Sequence, residues 1–315
     1  MQRNDHSFPP DFSRLSRSEW LGALRKIGQA RGFAEPLGKV HAGVFVEEGD
    51  TLLVSFETMS GIEALSETKT PLGWEMVQSH GWSSLSILSH GETWFRDPRV
   101  YGFFDQLLDD GFFDEFETVV FYGAGPCGYA AAAYSVAAPG ARVLLLQPQA
   151  TLDPRVTEWD DRFTEQRRRD FTSRYGFAPD MIDAAQQAHV IYDPQERLDA
   201  MHSALFERRN VRRHRAPFMG GALQADLRVL DLMPSLLSAV AEDRLDTRTF
   251  AQLLRARRNH APYLRKLLMR LDQEERFGLS RLLCQNVVNR MKAPRFRRRL
   301  AELEAEMDAP PAPGS

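Results

Sequence analysis

The chain has 315 residues, of which 43% are hydrophobic and 26% are charged, so it is long enough to bury a full core without disulfide bonds. Its two cysteines exclude a disulfide framework, and no cysteine–histidine spacing resembles a zinc site. A formal net charge of −3, a polar start unlike a secretory signal, and prolines and glycines that interrupt the one long uncharged stretch, 119–141, predict a cytoplasmic protein without a membrane span.

The first hundred residues predict a helix, a hairpin, a strand and a second helix. The first 40 residues are polar, with one helical segment near 14–31. Two apolar runs, 44–46 and 52–56, flank an acidic turn that contains a glycine, and this pattern predicts a β-hairpin. A partly apolar strand over 82–89 follows. A helix over 97–110 then begins behind an Asp-Pro pair.

From residue 118 to residue 218 the pattern alternates between strands and helices. Helical patterns cover 129–138 and 198–207, and the charged segment 164–177 is also predicted to be helical. Nearly continuous apolar runs between helices are typical of a mostly parallel sheet that is covered on both faces. The sequence therefore predicts an α/β fold whose later strands are 118–122, 142–146, 189–192 and 211–218.

The C-terminal part has a different character. Residues 227–307 are helical throughout in pattern, and residues 241–300 carry sixteen Lys or Arg against six Asp or Glu. Arginines interspersed with leucines are typical of the solvated faces of amphipathic helices, so a nucleic-acid partner is not expected. A protein partner or self-association through these helices is the expectation instead. The predicted parts are a polar segment 1–40, an α/β domain 41–225, a helical region 226–307 and a disordered tail 308–315.

A glycine-rich turn joins the strand 118–122 to the helix that follows, and it has two interpretations. Gly123, Gly125 and Gly128 match G-x-G-x-x-G, which binds the pyrophosphate of FAD or NAD in oxidoreductases. The acidic residue that would hold the ribose is replaced by Gln147 at the end of the next strand. Two or three strands also precede the turn, whereas this fingerprint normally opens its domain.

The second interpretation is a nucleophile elbow. The same strand–turn–helix geometry presents the serine of G-x-S-x-G, and the acid and the histidine follow later in the chain. Asp193 ends the second strand after the turn, where the acid belongs. The loop near Gly221 follows the last strand, where the histidine belongs, and the loop after 54–56 is placed to supply an oxyanion donor.

Several segments resemble a bacterial α/β-hydrolase-like subgroup whose members show YG-[AS]-S-M-G-[GA]-YAA at the elbow and SPQ-x-[ST]-[IL]-DP after the next strand. The resemblance covers about 44–225 and implies an α/β-hydrolase-like sheet with helices on both faces, plus a C-terminal all-helical extension. It also implies that Gln147 and Gln149 position a substrate or a loop. The matching segments are SHGWSSL (79–85), VVFYGAGPCGYAAAA (119–133), VLLLQPQATLDPR (143–155) and YDP (192–194).

The chain departs from that subgroup where the chemistry belongs. The serine position holds Gly125, the histidine falls near Gly221, and no histidine occurs between Arg215 and Asn259. Asp193 alone is kept, and neither a serine without a base nor a glycine is an effective nucleophile. The resemblance therefore predicts a catalytically degenerate protein that binds a ligand or a partner, and whether any enzyme activity remains stays open.

An active hydrolase or acyl transferase with a relocated nucleophile is the main alternative. Cys127 lies at the start of a helix, where the helix dipole lowers the pKa of a thiol. The competing interpretation makes Cys127 a small apolar residue that packs the helix against the sheet.

The free backbone N–H groups at the start of this helix form an anion-binding geometry that does not depend on the serine. A small anionic or acyl ligand is therefore expected, with no cofactor and no metal. The open carboxyl edge of the sheet predicts a pocket lined by Gly125, Pro126, Cys127, Gln147, Gln149, His90 and Gly221.

Overall fold

The computed structural model describes residue 8 and residues 10–308, and the chain forms two compact units that divide after Leu253. The first unit contains all the strands of the described part. They are β1 (Gly32–Leu37), β2 (His41–Val46), β3 (Thr51–Thr58), β4 (Ser83–Ser89), β5 (Thr118–Ala124), β6 (Arg142–Leu146), β7 (Gln187–Tyr192) and β8 (Val211–Arg215).

Eleven α-helices of the described part lie in the first unit and three in the second. Those of the first unit are α1 (Arg17–Arg31), α2 (Met59–Leu65), α3 (Leu72–His80), α4 (Pro98–Asp109), α5 (Pro126–Tyr134), α6 (Pro154–Thr157), α7 (Ala178–Met181), α8 (Arg197–Leu205), α9 (Leu223–Val229), α10 (Met233–Ala241) and α11 (Thr247–Leu253). Those of the second are α12 (Ala261–Gln273), α13 (Phe277–Arg290) and α14 (Pro294–Asp308).

The strands form one sheet in the order β1-β2-β4-β3-β5-β6-β7-β8. The pairs β1–β2 and β2–β4 are antiparallel, and every later pair is parallel. Parallel neighbours require crossover connections, and helices supply them here. The predicted α/β-hydrolase-like fold, with a mostly parallel sheet and a helical C-terminal part, is confirmed.

Both faces of the sheet are covered, and alternation along the strands shows why. On β4, Leu85 and Ile87 point into the larger core, whereas Leu88 points into the smaller one. Helices α4 and α5 pack on the side of the larger core, and α1 and α3 pack on the other side. Because successive side chains point to opposite faces, a strand that is buried on both faces reads as a continuous apolar run.

The predicted hairpin between 44–46 and 52–56 is wrong. These runs form β2 and β3, but β4 lies between them and pairs with both. Ser83 ties the connection to the start of β4, since its Oγ accepts from Glu48 N at 2.9 Å and donates to Gly49 O at 2.7 Å. The residues that resemble a hairpin turn therefore connect β2 to β3 across β4. The strand β4, which comes later in the chain, pairs with both of them, so β2 and β3 do not pair with each other.

Three further elements differ from prediction. The segment 164–177 contains only a 3-10 turn at Gln166–Arg168, because its backbone carbonyls at Asp170 and Arg174 accept from the Arg96 guanidinium instead of from helical neighbours. The last strand ends at Arg215, since Phe218 has a φ of +67° that no strand allows. The strand β1 lies inside the polar first segment, where no strand was expected.

The second unit is helical, with a small core of its own. Leu264, Leu268, Cys284, Val287 and Phe296 are buried together. In the residues that the structure describes, no helix combines the length and the apolar character that a membrane crossing requires. The tail 309–315 lies outside the described residues, so the expectation for 308–315 can be compared only at Asp308, which ends α14.

Candidate functional site

The predicted bend between strand and helix lies at Gly125. Its φ of +54° and ψ of −125° turn the chain sharply from β5 into α5. Its backbone N–H donates to Leu146 O at 2.8 Å, which fixes the turn against β6. A positive φ favours glycine. A Cβ at this position would meet nothing nearer than Gln149 Oε1 at 4.0 Å, so the turn faces open space.

The two flanking glycines of the G-x-G-x-x-G pattern have a packing role. A Cβ on Gly123 would lie 2.1 Å from Cys127 O, and a Cβ on Gly128 would lie 3.2 Å from Gly123 O. The start of α5 therefore contacts the end of β5 backbone to backbone. This close approach accounts for both glycines without a dinucleotide.

The residue after the elbow is Pro126, at the first helical position of α5. Elbow hydrolases stabilise the oxyanion with the N–H of this residue and an N–H from the loop after β3. Proline has no N–H, so the first donor is missing. The backbone of Thr58, where β3 ends, hydrogen-bonds to the Cys127 thiol. The expected anion site at the start of α5 therefore lacks the N–H group of its first residue, Pro126.

Cys127 is buried, with 8% of its surface exposed. Burial raises the pKa of the thiol far above its ordinary value, the nearby Glu57 carboxylate raises it further, and the bond from Thr58 offsets only part of the rise. The expected lowering by the helix dipole is wrong in sign. A raised pKa leaves almost no thiolate at neutral pH, and the thiolate is the nucleophile.

Asp193 lies directly after β7 and is 1% exposed. Its Oδ2 accepts from Gly220 N at 2.6 Å, and its Oδ1 accepts from Gln195 N at 2.9 Å. The carboxylate therefore points at the loop where a triad histidine would stand, and it holds the backbone of that loop. The adjacent Gly221 is exposed, and a Cβ there would meet no atom within 4 Å.

Gln147 joins the end of β6 to the start of α9. Its Nε2 donates to Asp199 Oδ2 at 2.7 Å and to Gly220 O at 3.2 Å, while its Oε1 accepts from Leu223 N at 3.2 Å. A φ of +47° places the side chain in this position. Gln147 therefore positions the loop after β8. The resemblance left this role open between substrate and loop.

The structure brings most of the predicted pocket residues together. A cleft of about 330 Å³ opens beside the elbow. Among its lining residues are Gly125, Pro126, Gln147, Gln149 and Gly221, each of which the sequence predicts. The remaining lining residues are Leu65, Ala124, Arg162, Phe163, Asp199, Ala222, Gln224 and Ala225.

His90 and Cys127 do not line this cleft. His90 is exposed after β4, and its backbone N–H donates to Val40 O at 2.7 Å. The loop after β4 does approach the elbow, but with Glu92, which lines the cavity beside Cys127, and not with His90. Cys127 instead lines a neighbouring cavity of about 160 Å³.

That second cavity contains a carboxylate that sequence analysis missed. Burial raises the pKa of Glu57 to about 7, although the Leu72 backbone N–H and the Ser55 hydroxyl both donate to the carboxylate. Arg228 lines the same cavity and also lowers this pKa. Glu57 follows a fully buried run at the carboxyl edge of the sheet, and that position was the available signal.

A buried polar network supports the far side of the cleft. His202 Nε2 lies 2.8 Å from Asp160 Oδ2, and both side chains are fully buried. His202 Nδ1 accepts from Ala150 N at 3.2 Å, so neither ring nitrogen is free to act as a base. Burial would raise the pKa of Asp160, but hydrogen bonds from His202 and Arg162 hold it well below its usual range.

Within residues 8 and 10–308, no three His, Cys, Asp or Glu side chains are grouped so that they would hold a metal ion.

No family model matches the chain, and no curated protein matches it. Solved structures are similar to it at low identity. An acylaminoacyl peptidase of Pyrococcus horikoshii is 9% identical over 67% of this chain and 41% of its own, with a TM-score of 0.45. A mutant capsule O-acetyltransferase of Neisseria meningitidis serogroup A in complex with CoA is 9% identical over 64% and 91%, with a TM-score of 0.43. A Pyrobaculum calidifontis esterase is 14% identical over 72% and 92%, with a TM-score of 0.41. Each TM-score lies below 0.5, and none of these likenesses bears on the activity of this chain.

Proposed function

We propose that this chain is an α/β-hydrolase-fold protein that binds a small ligand in the elbow cleft without hydrolysing it. The observation that carries the proposal is the pair Gly125–Pro126. The turn keeps the geometry of an elbow, but it offers neither a hydroxyl at the nucleophile position nor an N–H at the next one.

The loop after β8 supports the same conclusion independently. A general base must lie within hydrogen-bond reach of the nucleophile. Gly221 occupies the loop expected to carry it, and Asp193 bonds to the Gly220 backbone instead of to an imidazole. The nucleophile, one oxyanion donor and the base are therefore all replaced, while the cleft between them remains open. A binding role fits this combination.

The alternative with Cys127 as a relocated nucleophile has less support. The thiol lies in the neighbouring cavity, and burial and Glu57 raise its pKa. The alternative with FAD or NAD has no observation in its favour, since packing accounts for Gly123 and Gly128. A partner contact through the C-terminal helices stays a prediction. Exposed Met269 and Leu282 mark where it would lie.

The first experiment measures p-nitrophenyl acetate turnover and fluorophosphonate labelling of the purified chain. We expect neither to exceed the heat-inactivated protein. Cys127→Ala is the matched variant, and we expect it to behave identically. Turnover or labelling that a single substitution near the elbow abolishes would contradict the proposal. Loss in Cys127→Ala would favour the relocated nucleophile.

The second experiment rebuilds the machinery. Gly125→Ser with Gly221→His restores a nucleophile and a base, and adding Pro126→Ala restores the missing donor. One oxyanion donor is worth about 100-fold or more in rate. The triple variant should therefore exceed the double variant by about that factor. Equal rates in the two variants would show that the Pro126 position does not face the reacting carbonyl.

A further inference from the structure

One hydrogen-bond acceptor in the cleft has no donor. The side chain of Gln149 is 3% exposed, and its Nε2 donates to Gln147 O at 3.2 Å, which fixes the orientation of the amide. Its Oε1 is buried, and no atom of residues 8 and 10–308 donates to it. This oxygen is also the nearest atom to the empty side-chain position of Gly125, at 4.0 Å. Buried acceptors are normally bonded, so this one indicates a missing partner.

The charges around the cleft are already paired with one another. Arg162 Nη1 donates to Asp199 Oδ1 at 2.7 Å, and Arg162 Nη2 donates to Asp160 Oδ2 at 2.8 Å. Gln147 uses both ends of its amide within the protein. An anionic ligand would therefore have to compete with two carboxylates for Arg162. The environment favours an uncharged ligand that brings its own donor.

We infer that the elbow cleft binds an uncharged primary carboxamide, whose N–H donates to Gln149 Oε1. This inference rests on the proposed binding function and specifies its ligand class. The hydrocarbon part of the ligand would contact Leu65 and Phe163. An uncharged amide replaces the anionic or acyl ligand that the sequence alone favours.

The test is a titration of the ¹⁵N-labelled full-length chain with three probes of similar size, followed by NMR. Benzamide has the donor and the carbonyl, acetophenone has the carbonyl only, and benzoate carries a charge without a donor. We expect benzamide to bind about tenfold more tightly than either of the others, the effect of one hydrogen bond to a buried group. The shifts should be centred on Gly125, Cys127 and the Gln149 amide.

Gln149→Met removes the acceptor at nearly constant size. It should reduce the preference for benzamide over acetophenone to about one. Gln186→Met makes the same change at an exposed position outside the cleft and should leave the preference intact. Ala222→Trp fills the cleft from its exposed rim without touching Gln149 and should abolish all probe binding. This variant keeps the test decisive if Gln149→Met does not fold.

Equal binding of benzamide and acetophenone would overturn the inference, since Gln149 would then be satisfied by water only. Stronger binding of benzoate would overturn it in favour of an anion site. Shifts that persist in Ala222→Trp would place the probes elsewhere and would also overturn it. Ester turnover in the wild-type chain is a separate failure, because it refutes the proposed function whichever probe binds.

Discussion

Two regions of the molecule each have one feature of an active site. The elbow has the backbone geometry, and the ends of strands β6 to β8 have the polar side chains. The elbow at Gly125 keeps the backbone geometry of a catalytic turn, but it carries no side chain that reacts. The region from β6 to β8 carries carboxylates and imidazoles, and those near the cleft already bond to other groups of the protein. Asp193 holds Gly220, and His202 accepts from the Ala150 backbone.

The difference teaches that geometry and chemistry must be assessed separately. An aspartate–histidine pair at 2.8 Å has the contact distance of a catalytic dyad. It lacks a free imidazole nitrogen and therefore has no base to offer. The elbow, which has no polar side chain of its own, borders the one buried acceptor of the cleft that has no donor among the described residues, Gln149 Oε1. We therefore expect a ligand to bind beside Gly125, where no side chain fills the cleft, and not at the Asp160–His202 pair.

The largest effect is expected at Gly123, which tests whether the elbow is built by backbone contact. Gly123→Ala places a Cβ 2.1 Å from Cys127 O, and a backbone atom cannot move aside cheaply. We expect a loss of about 3 kcal/mol in the free energy of unfolding, measured by urea denaturation. Gly221→Ala is the matched control, since a Cβ there meets nothing within 4 Å. A loss below about 1 kcal/mol at Gly123 would contradict the packing role.

A pH titration tests the other region. His189 Nδ1 lies 3.0 Å from His214 Nε2 across β7 and β8, and both rings are buried. Burial lowers the pKa of His189 to about 3 and that of His214 to about 4. The unfolded chain binds protons below pH about 6.5, whereas the folded pair stays neutral. The contribution of this pair to stability is therefore complete above that pH and falls as the pH drops toward 4.

Each histidine should destabilise the fold by about 2 kcal/mol between pH 7.5 and pH 5, whereas Glu57, whose pKa burial raises to about 7, stabilises it over the same range. His189→Leu should reduce this pH dependence, as measured by urea midpoints at pH 7.5, 6 and 5. His80→Ala, at an exposed position, should leave the dependence unchanged. If His189→Leu keeps the full dependence, the pair is not the origin of the acid sensitivity.

Asp160→Ala tests whether the aspartate–histidine pair is structural. The change leaves the buried His202 Nε2 without its partner and removes one of the two carboxylates that bind Arg162, whose side chain is about one third exposed and keeps Asp199. We expect a loss of about 2 kcal/mol in the free energy of unfolding. Asp161→Ala changes an exposed neighbour and should cost less than about 0.5 kcal/mol. Equal losses of stability in the two variants would show that the Asp160–His202 pair does not stabilise the wall of the cleft.

The sequence predicted the fold well because its signals are local. Buried runs such as 142–146 appear as β6 with the same bounds. Strand order is not local, and the hairpin prediction failed because β4 displaces the pairing of β2 with β3. The charged segment 164–177 failed for a similar reason. Its carbonyls at Asp170 and Arg174 accept from Arg96, which lies 74 and 78 residues earlier.

The candidate site was predictable by position but not by chemistry. The strand ends in the sequence predict that Gly125, Gln147 and Gly221 share one cleft, and all three line it. The direction of the Cys127 pKa was not accessible, because burial outweighs the helix dipole and burial depends on the whole fold. The lack of a donor to Gln149 Oε1 could not be predicted either, because it depends on which atoms the whole fold brings next to that oxygen.

The smallest change in stability is expected for substitutions of Gly125, which test whether the elbow faces Gln149. Gly125→Ala should cost about 1 kcal/mol in the free energy of unfolding, because a φ of +54° strains any residue with a Cβ while the space around it is open. Gly125→Ser carries the same strain, but its hydroxyl is placed to donate to Gln149 Oε1. The serine variant should therefore be more stable than the alanine variant by about 0.5 to 1 kcal/mol in urea denaturation. The same hydroxyl should weaken benzamide binding, because the protein then satisfies the acceptor itself. Equal stability of the two variants would mean that Gln149 does not face the elbow, and the ligand assignment would fall with it.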